Sequence, residues 1–186
     1  LDTKGPEYRI KTFRNGKATL RSGDTFILTT DDIIGDDNRV SVSYKGTIQE
    51  LSVGDQVLIN NGLIILVVES KTNTEAVCRV LEGGVLTDRK SMSFPNKVLK
   101  QVYLSDADKD DILFGIEQDV DFIAASFVSC KQDVIDIRKF LDENGGEYID
   151  IIAKIENRSG VDNIADILEV SDGIMVARGD LGVEIP

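Results

Sequence analysis

The chain has 186 residues, 41% apolar and 29% charged, enough for one good-sized domain or two small ones with real cores. It contains no histidine and two cysteines, Cys78 and Cys130. That excludes Ser-His-Asp hydrolysis, histidine general-base catalysis and His-ligated zinc on this chain, and leaves no disulfide framework. The formal net charge of −12 is unevenly spread: residues 1–104 carry 14 Lys and Arg against 13 Asp and Glu, whereas residues 105–186 carry 7 against 20. This asymmetry predicts two units of different character and argues against a nucleic-acid partner, which needs a basic surface. No apolar run approaches the length of a membrane span, and the N-terminus lacks the layout of a signal peptide. A cytoplasmic setting without a membrane partner is therefore expected.

Asp2-Thr3-Lys4-Gly5-Pro6 opens the chain and reads as a strand end running into a turn. Residues 10–90 read as β structure. Thr25-Phe26-Ile27-Leu28-Thr29 and Ala76-Val77-Cys78-Arg79-Val80-Leu81 are β-prone, and Val40, Val42 and Tyr44 alternate with polar residues. Asn61-Gly62, between apolar runs at 57–59 and 63–68, suits a two-residue hairpin turn that needs positive φ. Many short strands with recurring turn signals predict a small closed barrel or sandwich.

From Ser105 the period changes. Ser105-Asp106-Ala107-Asp108 offers an N-cap with an acid three residues on, followed by Ile112, Leu113 and Ile116 at helical spacing. A continuously apolar strand is expected over 122–127. A helix then carries Val134, Ile137, Phe140 and Leu141 on one face, with Gly145-Gly146 as its stop. A strand over 148–155, a third helix carrying Val161, Ile164, Ile167 and Leu168, and a strand over 173–176 complete the order. This alternation predicts a parallel sheet covered by helices. Such a sheet carries its chemistry at the C-terminal ends of the strands. Ser126, Lys154, Glu156, Arg178 and Asp180 fall there.

Lys154 and Glu156 lie two apart, so their side chains leave the same face of a strand. The spacing suits a surface ion pair as well as a site. Asp180 follows Gly179 in a glycine-rich turn, where it reads either as a helix cap or as part of a divalent-metal site with Glu156.

Together these segments resemble the pyruvate kinase family. The resemblance rests on Leu1-Asp2-Thr3-Lys4-Gly5-Pro6-Glu7, on the 122–127 strand, on Ile151-Ile152-Ala153-Lys154-Ile155-Glu156-Asn157, and on the terminal run from Met175 to Pro186. It implies an α/β fold: a partial (β/α)8 TIM barrel with an inserted all-β small barrel, the lid. Residues 1–8 would end barrel strand three, 9–98 would form the lid, and 99–186 would supply strands four to six. The implied activity is glycolytic phosphoryl transfer from phosphoenolpyruvate to ADP, giving pyruvate and ATP. Lys154 would be catalytic and would contact substrate. Gly179 and Asp180 would bind the substrate carboxylate through backbone N–H groups. Glu156 and Asp180 would hold Mg²⁺ or Mn²⁺, and Asp2 and Thr3 would contribute to a K⁺ site. Arg9 would contact phosphate and Lys90 the nucleotide. The parent would be a homotetramer.

The sequence departs from the family at three places. Asn60-Asn61-Gly62 replaces the usual Asp-Asp-Gly of the lid hairpin. Lys90-Ser91-Met92-Ser93-Phe94-Pro95-Asn96 replaces a hinge with two more glycines, and Tyr103-Leu104 stands where Leu-Pro is usual. The chain is expected to be an internal piece of its parent and inactive alone. Two other readings remain: a barrel lyase that handles metal-bound enolates, and a non-catalytic nucleotide-binding or regulatory module.

Overall fold

The computed structural model describes residues 1–95, 97 and 99–185. Asn96 of the expected hinge, Val98 at the expected domain boundary and Pro186 of the terminal run lie outside the described residues. The chain divides into two compact units, Tyr8–Gln101 on one side, and Leu1–Glu7 together with the chain from Val102 onward on the other. The first is thus inserted into the second. No helix among the described residues is long and apolar enough to cross a membrane.

The inserted unit holds β1 (Lys17–Leu20), β2 (Thr25–Thr29), β3 (Arg39–Ser41), the single turn α1 (Thr47–Glu50), β4 (Gln56–Ile59), β5 (Ile64–Lys71), β6 (Glu75–Glu82), β7 (Gly84–Thr87) and β8 (Met92–Ser93). Six strands form one sheet in the order β3-β2-β6-β5-β4-β8, and β1 pairs with β7. The segment at Arg9 and Ile10 joins the two ends of the large sheet. Arg9 bridges Ser91 beside β8, and Ile10 bridges Val42 beside β3. The sheet is thereby closed into a small barrel, with no open edge left by β3 or β8 at these positions. Alternation explains the interior. Phe26 and Leu28, Val57 and Ile59, and Ile64, Leu66 and Val68 are buried, while their neighbours in sequence, apart from the buried Thr29, face outward or sit part-buried.

The 60–63 hairpin differs from the two-residue turn expected. Ile59 pairs with Ile64, so the loop has four residues. Asn60 and Asn61 have φ of 56° and Gly62 of 79°. Asparagine tolerates the left-handed region because its short side chain bonds locally, so positive φ spreads over three residues instead of stopping at the Asn-Gly pair. Leu63 belongs to the loop and is exposed.

The second unit continues with α2 (Asp106–Glu117), β9 (Phe122–Ala125), α3 (Lys131–Glu143), β10 (Asp150–Ile155), α4 (Arg158–Asp162), α5 (Ile164–Leu168), β11 (Gly173–Val176) and α6 (Arg178–Glu184). Its strands run parallel in the order β11-β10-β9. Asp2 extends the sheet beyond β9 through a parallel bridge to Ala124. Successive parallel strands joined by helices make this a partial (β/α) barrel. Ser105 caps α2 by accepting the Asp108 N–H at 3.0 Å. Ile112, Val134, Ile137 and Leu141 are buried against the strands.

Two details depart from expectation. The third helix is two short ones, α4 and α5, separated at Asn163, whose Nδ2 donates to the Ser129 carbonyl at 2.9 Å. The break turns Leu168 outward while Ile167 stays buried. Met175 and Val176 of the apolar strand β11 are about half exposed, because β11 has a strand neighbour on one side among the described residues.

Candidate active site

The ends of the parallel strands come into register at one edge of the sheet. Lys154 is the penultimate residue of β10 and Glu156 follows its last. The Lys154 ammonium is 3.3 Å from Glu156 Oε1 and 3.1 Å from Asp2 Oδ1, and it donates to Ser126 Oγ at 2.8 Å. Its three N–H bonds are therefore all directed. The Lys154 side chain is 13% exposed and that of Glu156 is 2%. This decides between the two readings of the pair: it is a buried charge pair, not a surface one. Burial pulls the lysine down, but the hydrogen bond and charge of Asp2 and the charge of Glu156 outweigh it, so Lys154 is held above its ordinary value and stays charged.

Ser126 lies one residue past β9 and makes four bonds. Its N–H donates to Thr3 Oγ1 at 3.1 Å, its hydroxyl donates to Asp2 Oδ1 at 3.2 Å, and that hydroxyl also accepts from Lys154. Its carbonyl accepts the Tyr103 hydroxyl at 2.8 Å. A Cβ on Gly5 would sit 2.6 Å from the same carbonyl oxygen, and Gly5 has φ of +67°. A side chain there would be both strained and blocked. Phe127 follows with φ of +55° and donates its N–H to Glu156 Oε2 at 2.6 Å.

Glu156 therefore has one oxygen facing Lys154 and the other facing a backbone donor. Burial nevertheless raises its carboxyl above the ordinary glutamate value. The Phe127 N–H and Lys154 oppose the rise, and the charge of Asp180 adds to it. Asp180 is exposed, lies in the first turn of α6, and makes no hydrogen bond or ion pair with another described residue. The glycine-rich turn expected around it is helical from Arg178. Gly179 is not in the left-handed region, and a Cβ there would meet nothing within 4 Å. The chain passes straight from sheet to helix: the Ala177 N–H still donates to the Ile155 carbonyl at 3.3 Å, and α6 begins at the next residue. Asp180 does not cap α6; Ala177 holds the cap position without a side-chain bond.

Glu156 and Asp180 fit a divalent cation on their chemistry. Both offer hard oxygen donors, and the repulsion between their charges is what a cation would reverse. Among the described residues no group of three His, Cys, Asp or Glu side chains is arranged to hold a metal. Two carboxylates leave most coordination positions to substrate oxygens or water, as Mg²⁺ usually requires. At Asp2 and Thr3 the donors are uneven. Asp2 is mostly exposed and its Oδ2 has no partner among the described residues, whereas the Thr3 hydroxyl is buried and bonded to Ser126 and Ala124. The Thr3 carbonyl oxygen remains as the group it could offer a cation.

Arg9 and Lys90 belong to the inserted unit. They are neighbours across the seam that closes its barrel: the Ile10 N–H donates to the Lys90 carbonyl at 3.0 Å, and Arg9 Nη1 donates to the Arg89 carbonyl at 2.8 Å. Sequence reasoning placed Ser126 at a strand end but gave it no role at the site. It missed Tyr103 and the Phe127 N–H. Tyr103 was visible as a departure from the family pattern, while a backbone donor leaves no mark in a sequence.

Parallel βα units with charged side chains gathered at the C-terminal ends of the strands, interrupted by an inserted β barrel, define a segment of the (β/α)-barrel class. A family model described as the barrel domain of pyruvate kinase matches residues 1–186. The chain belongs to the pyruvate kinase family. It is 44% identical to a pyruvate kinase of Clostridium perfringens and 49% identical to one of Bacillus licheniformis, with all of this chain aligned in both. A crystal structure of a pyruvate kinase from Cryptosporidium parvum superposes with a TM-score of 0.93 at 39% identity, covering 100% of this chain and 39% of that one. The chain spans 40% and 32% of the length of the two bacterial relatives.

Proposed function

We propose that the protein containing this chain transfers the phosphoryl group of phosphoenolpyruvate to ADP, giving pyruvate and ATP. The observation that carries this reading is the Asp2–Ser126–Lys154–Glu156 network at the ends of parallel strands, with Ser126 and Glu156 buried, in a chain of the pyruvate kinase family. The P–O bond to the enol oxygen breaks and a P–O bond to the terminal phosphate of ADP forms. Negative charge collects on the enol oxygen and on the phosphoryl oxygens in flight. Lys154 supplies a fixed positive charge there, and its three bonds mean that little reorganisation is needed when that charge develops.

Glu156 and Asp180 hold Mg²⁺ or Mn²⁺, which when bound draws charge from the substrate oxygens. Gly179 and Asp180 lie in the first turn of α6, where backbone N–H groups lack intrahelical acceptors and suit the substrate carboxylate. Asp2 and the Thr3 carbonyl contribute to a K⁺ site. In the inserted unit, which acts as the lid, Arg9 contacts phosphate and Lys90 the nucleotide.

The test is Lys154→Met in the full-length protein. Turnover of phosphoenolpyruvate and ADP should fall by about a hundredfold or more, the usual cost of a lost charged contact to the transition state. Mn²⁺ binding should persist, because Glu156 and Asp180 remain. Near-normal turnover would sink the assignment of Lys154.

A further inference from the structure

The peptide between Ser126 and Phe127 is gripped at both ends. Its carbonyl oxygen accepts the Tyr103 hydroxyl at 2.8 Å, and its N–H donates to Glu156 Oε2 at 2.6 Å. Phe127 sits at φ +55°, a left-handed region that is unfavourable for a bulky L-residue. Such a conformation persists where its surroundings hold it. Here the hold comes from the two bonds on this peptide, with Gly5 leaving room beside the same carbonyl. Bonds in series also polarise one another: donation to a carbonyl makes the N–H of that amide a better donor.

From this geometry we infer that Tyr103 is a positioning residue for Glu156, acting through the Ser126–Phe127 peptide. Tyr103 makes no hydrogen bond to Glu156 itself. Its ring packs against the core of the barrel segment, and its hydroxyl fixes the plane of the peptide whose other side orients the carboxylate. The inference rests on the reading that Glu156 holds a divalent cation. It adds that the set of the carboxylate is controlled from a residue just before α2, outside the strand ends.

The experiment titrates Mn²⁺ into the full-length protein after chelation, following the free-ion electron paramagnetic resonance signal. Four forms are compared: wild type, Tyr103→Phe, Glu156→Gln, and a form with 3-fluorotyrosine at position 103. Tyr103→Phe should weaken Mn²⁺ about fivefold, the scale of one lost hydrogen bond. It should also move the Phe127 amide proton upfield in selectively ¹⁵N-labelled protein. The fluorinated ring keeps the packing and donates more strongly, so it should bind at least as tightly as wild type. A purely structural role for Tyr103 would not tie the Mn²⁺ affinity to the donor strength of its hydroxyl. Tyr103→Phe binding within about twofold of wild type, while Glu156→Gln loses the ion, would overturn the role of Tyr103 and leave the metal reading standing. Wild-type affinity in Glu156→Gln would overturn both. Should Tyr103→Phe fail to fold, weaker binding by the fluorinated form would be equally fatal to the inference.

Discussion

The two units bury different things. The inserted β barrel buries only hydroxyls as its polar side chains, Thr29, Ser41 and Thr47, whereas the barrel segment buries two carboxylates, Asp108 and Glu156, beside the hydroxyls of Thr3 and Ser126. The hydroxyls of the inserted unit serve their own backbone. Ser41 Oγ donates toward the Asp31 carbonyl at 2.6 Å and Thr47 Oγ1 donates to the Tyr44 carbonyl at 2.7 Å. These are neutral groups satisfied at short range, which is how a stable scaffold hides polarity. The two carboxyl groups of the barrel segment are satisfied unequally. Asp108 accepts the N–H groups of Lys4 and Gly5 at 2.9 and 3.4 Å and the Ser105 hydroxyl at 2.9 Å. Glu156 faces one N–H and one lysine and is repelled by a second carboxylate. One acid is held by donors on its own chain; the other is left under repulsion from Asp180.

If that distinction is right, the largest effect on stability comes from Asp108. Asp108→Ala strands the Lys4 and Gly5 N–H groups and removes the tie between the 1–7 segment and the start of α2. It should cost on the order of 3 kcal/mol, because two backbone donors, that of Gly5 buried, are left without their acceptor. Ser41→Ala in the inserted unit should cost about 1 kcal/mol, the net value of a neutral bond. Chemical denaturation, with hydrogen exchange to localise the loss, checks both. Equal costs would erase the difference drawn between the units.

A smaller effect, visible against pH, concerns Glu156. Its carboxyl is raised above its ordinary 4.5 by burial, against the Phe127 N–H and Lys154, with Asp180 adding to the rise. An acid whose value rises on folding binds its proton more tightly in the native chain. Its contribution to stability therefore falls as pH climbs from the ordinary glutamate range through the raised native value, and the penalty is complete above it. Lys154 behaves in the opposite sense. Its native value lies above 10.5, so its stabilising contribution is full at neutral pH and is lost as pH rises through that native value. Glu156→Gln removes the first dependence. In chelator, the thermal midpoint of wild type minus that of the variant should fall as pH rises from about 4.5 toward neutrality. A difference that does not vary with pH would mean that burial does not strain the Glu156 carboxylate.

Much of this arrangement is legible in the sequence, for physical reasons that differ by element. The barrel segment declares itself because buried parallel strands are continuously apolar and the helices between them repeat at helical spacing, as at Val134, Ile137 and Leu141. Lys154 and Glu156 are legible as a pair because a strand repeats every two residues, but their burial is not, since it depends on Asp2 and Ser126 arriving from far along the chain. The 60–63 loop is misjudged because asparagine tolerates left-handed backbone better than most residues, so the positive φ is not confined to the glycine. Leu168 is misplaced because the break at Asn163 comes from a tertiary bond to Ser129. The roles of Tyr103 and Phe127 are invisible for a simpler reason: both act on or through backbone atoms, which every residue carries.

The smallest effect tests the closure of the inserted barrel through its cysteine. Cys78 points into that core, and burial, reinforced by the charge of Glu69, pushes its thiol up to about 12. At pH 8 about one part in ten thousand would then be thiolate, the form that reacts. Cys130 is half-buried at the cap of α3 in the barrel segment. Native protein exposed to iodoacetamide should therefore be alkylated at Cys130 well before Cys78, as read by mass spectrometry of its peptides. Comparable rates would mean that the inserted barrel opens often enough to expose β6. The seam at Arg9 and Ile10 would then be a weak closure, and the contrast would become one between a loose unit and a charged one.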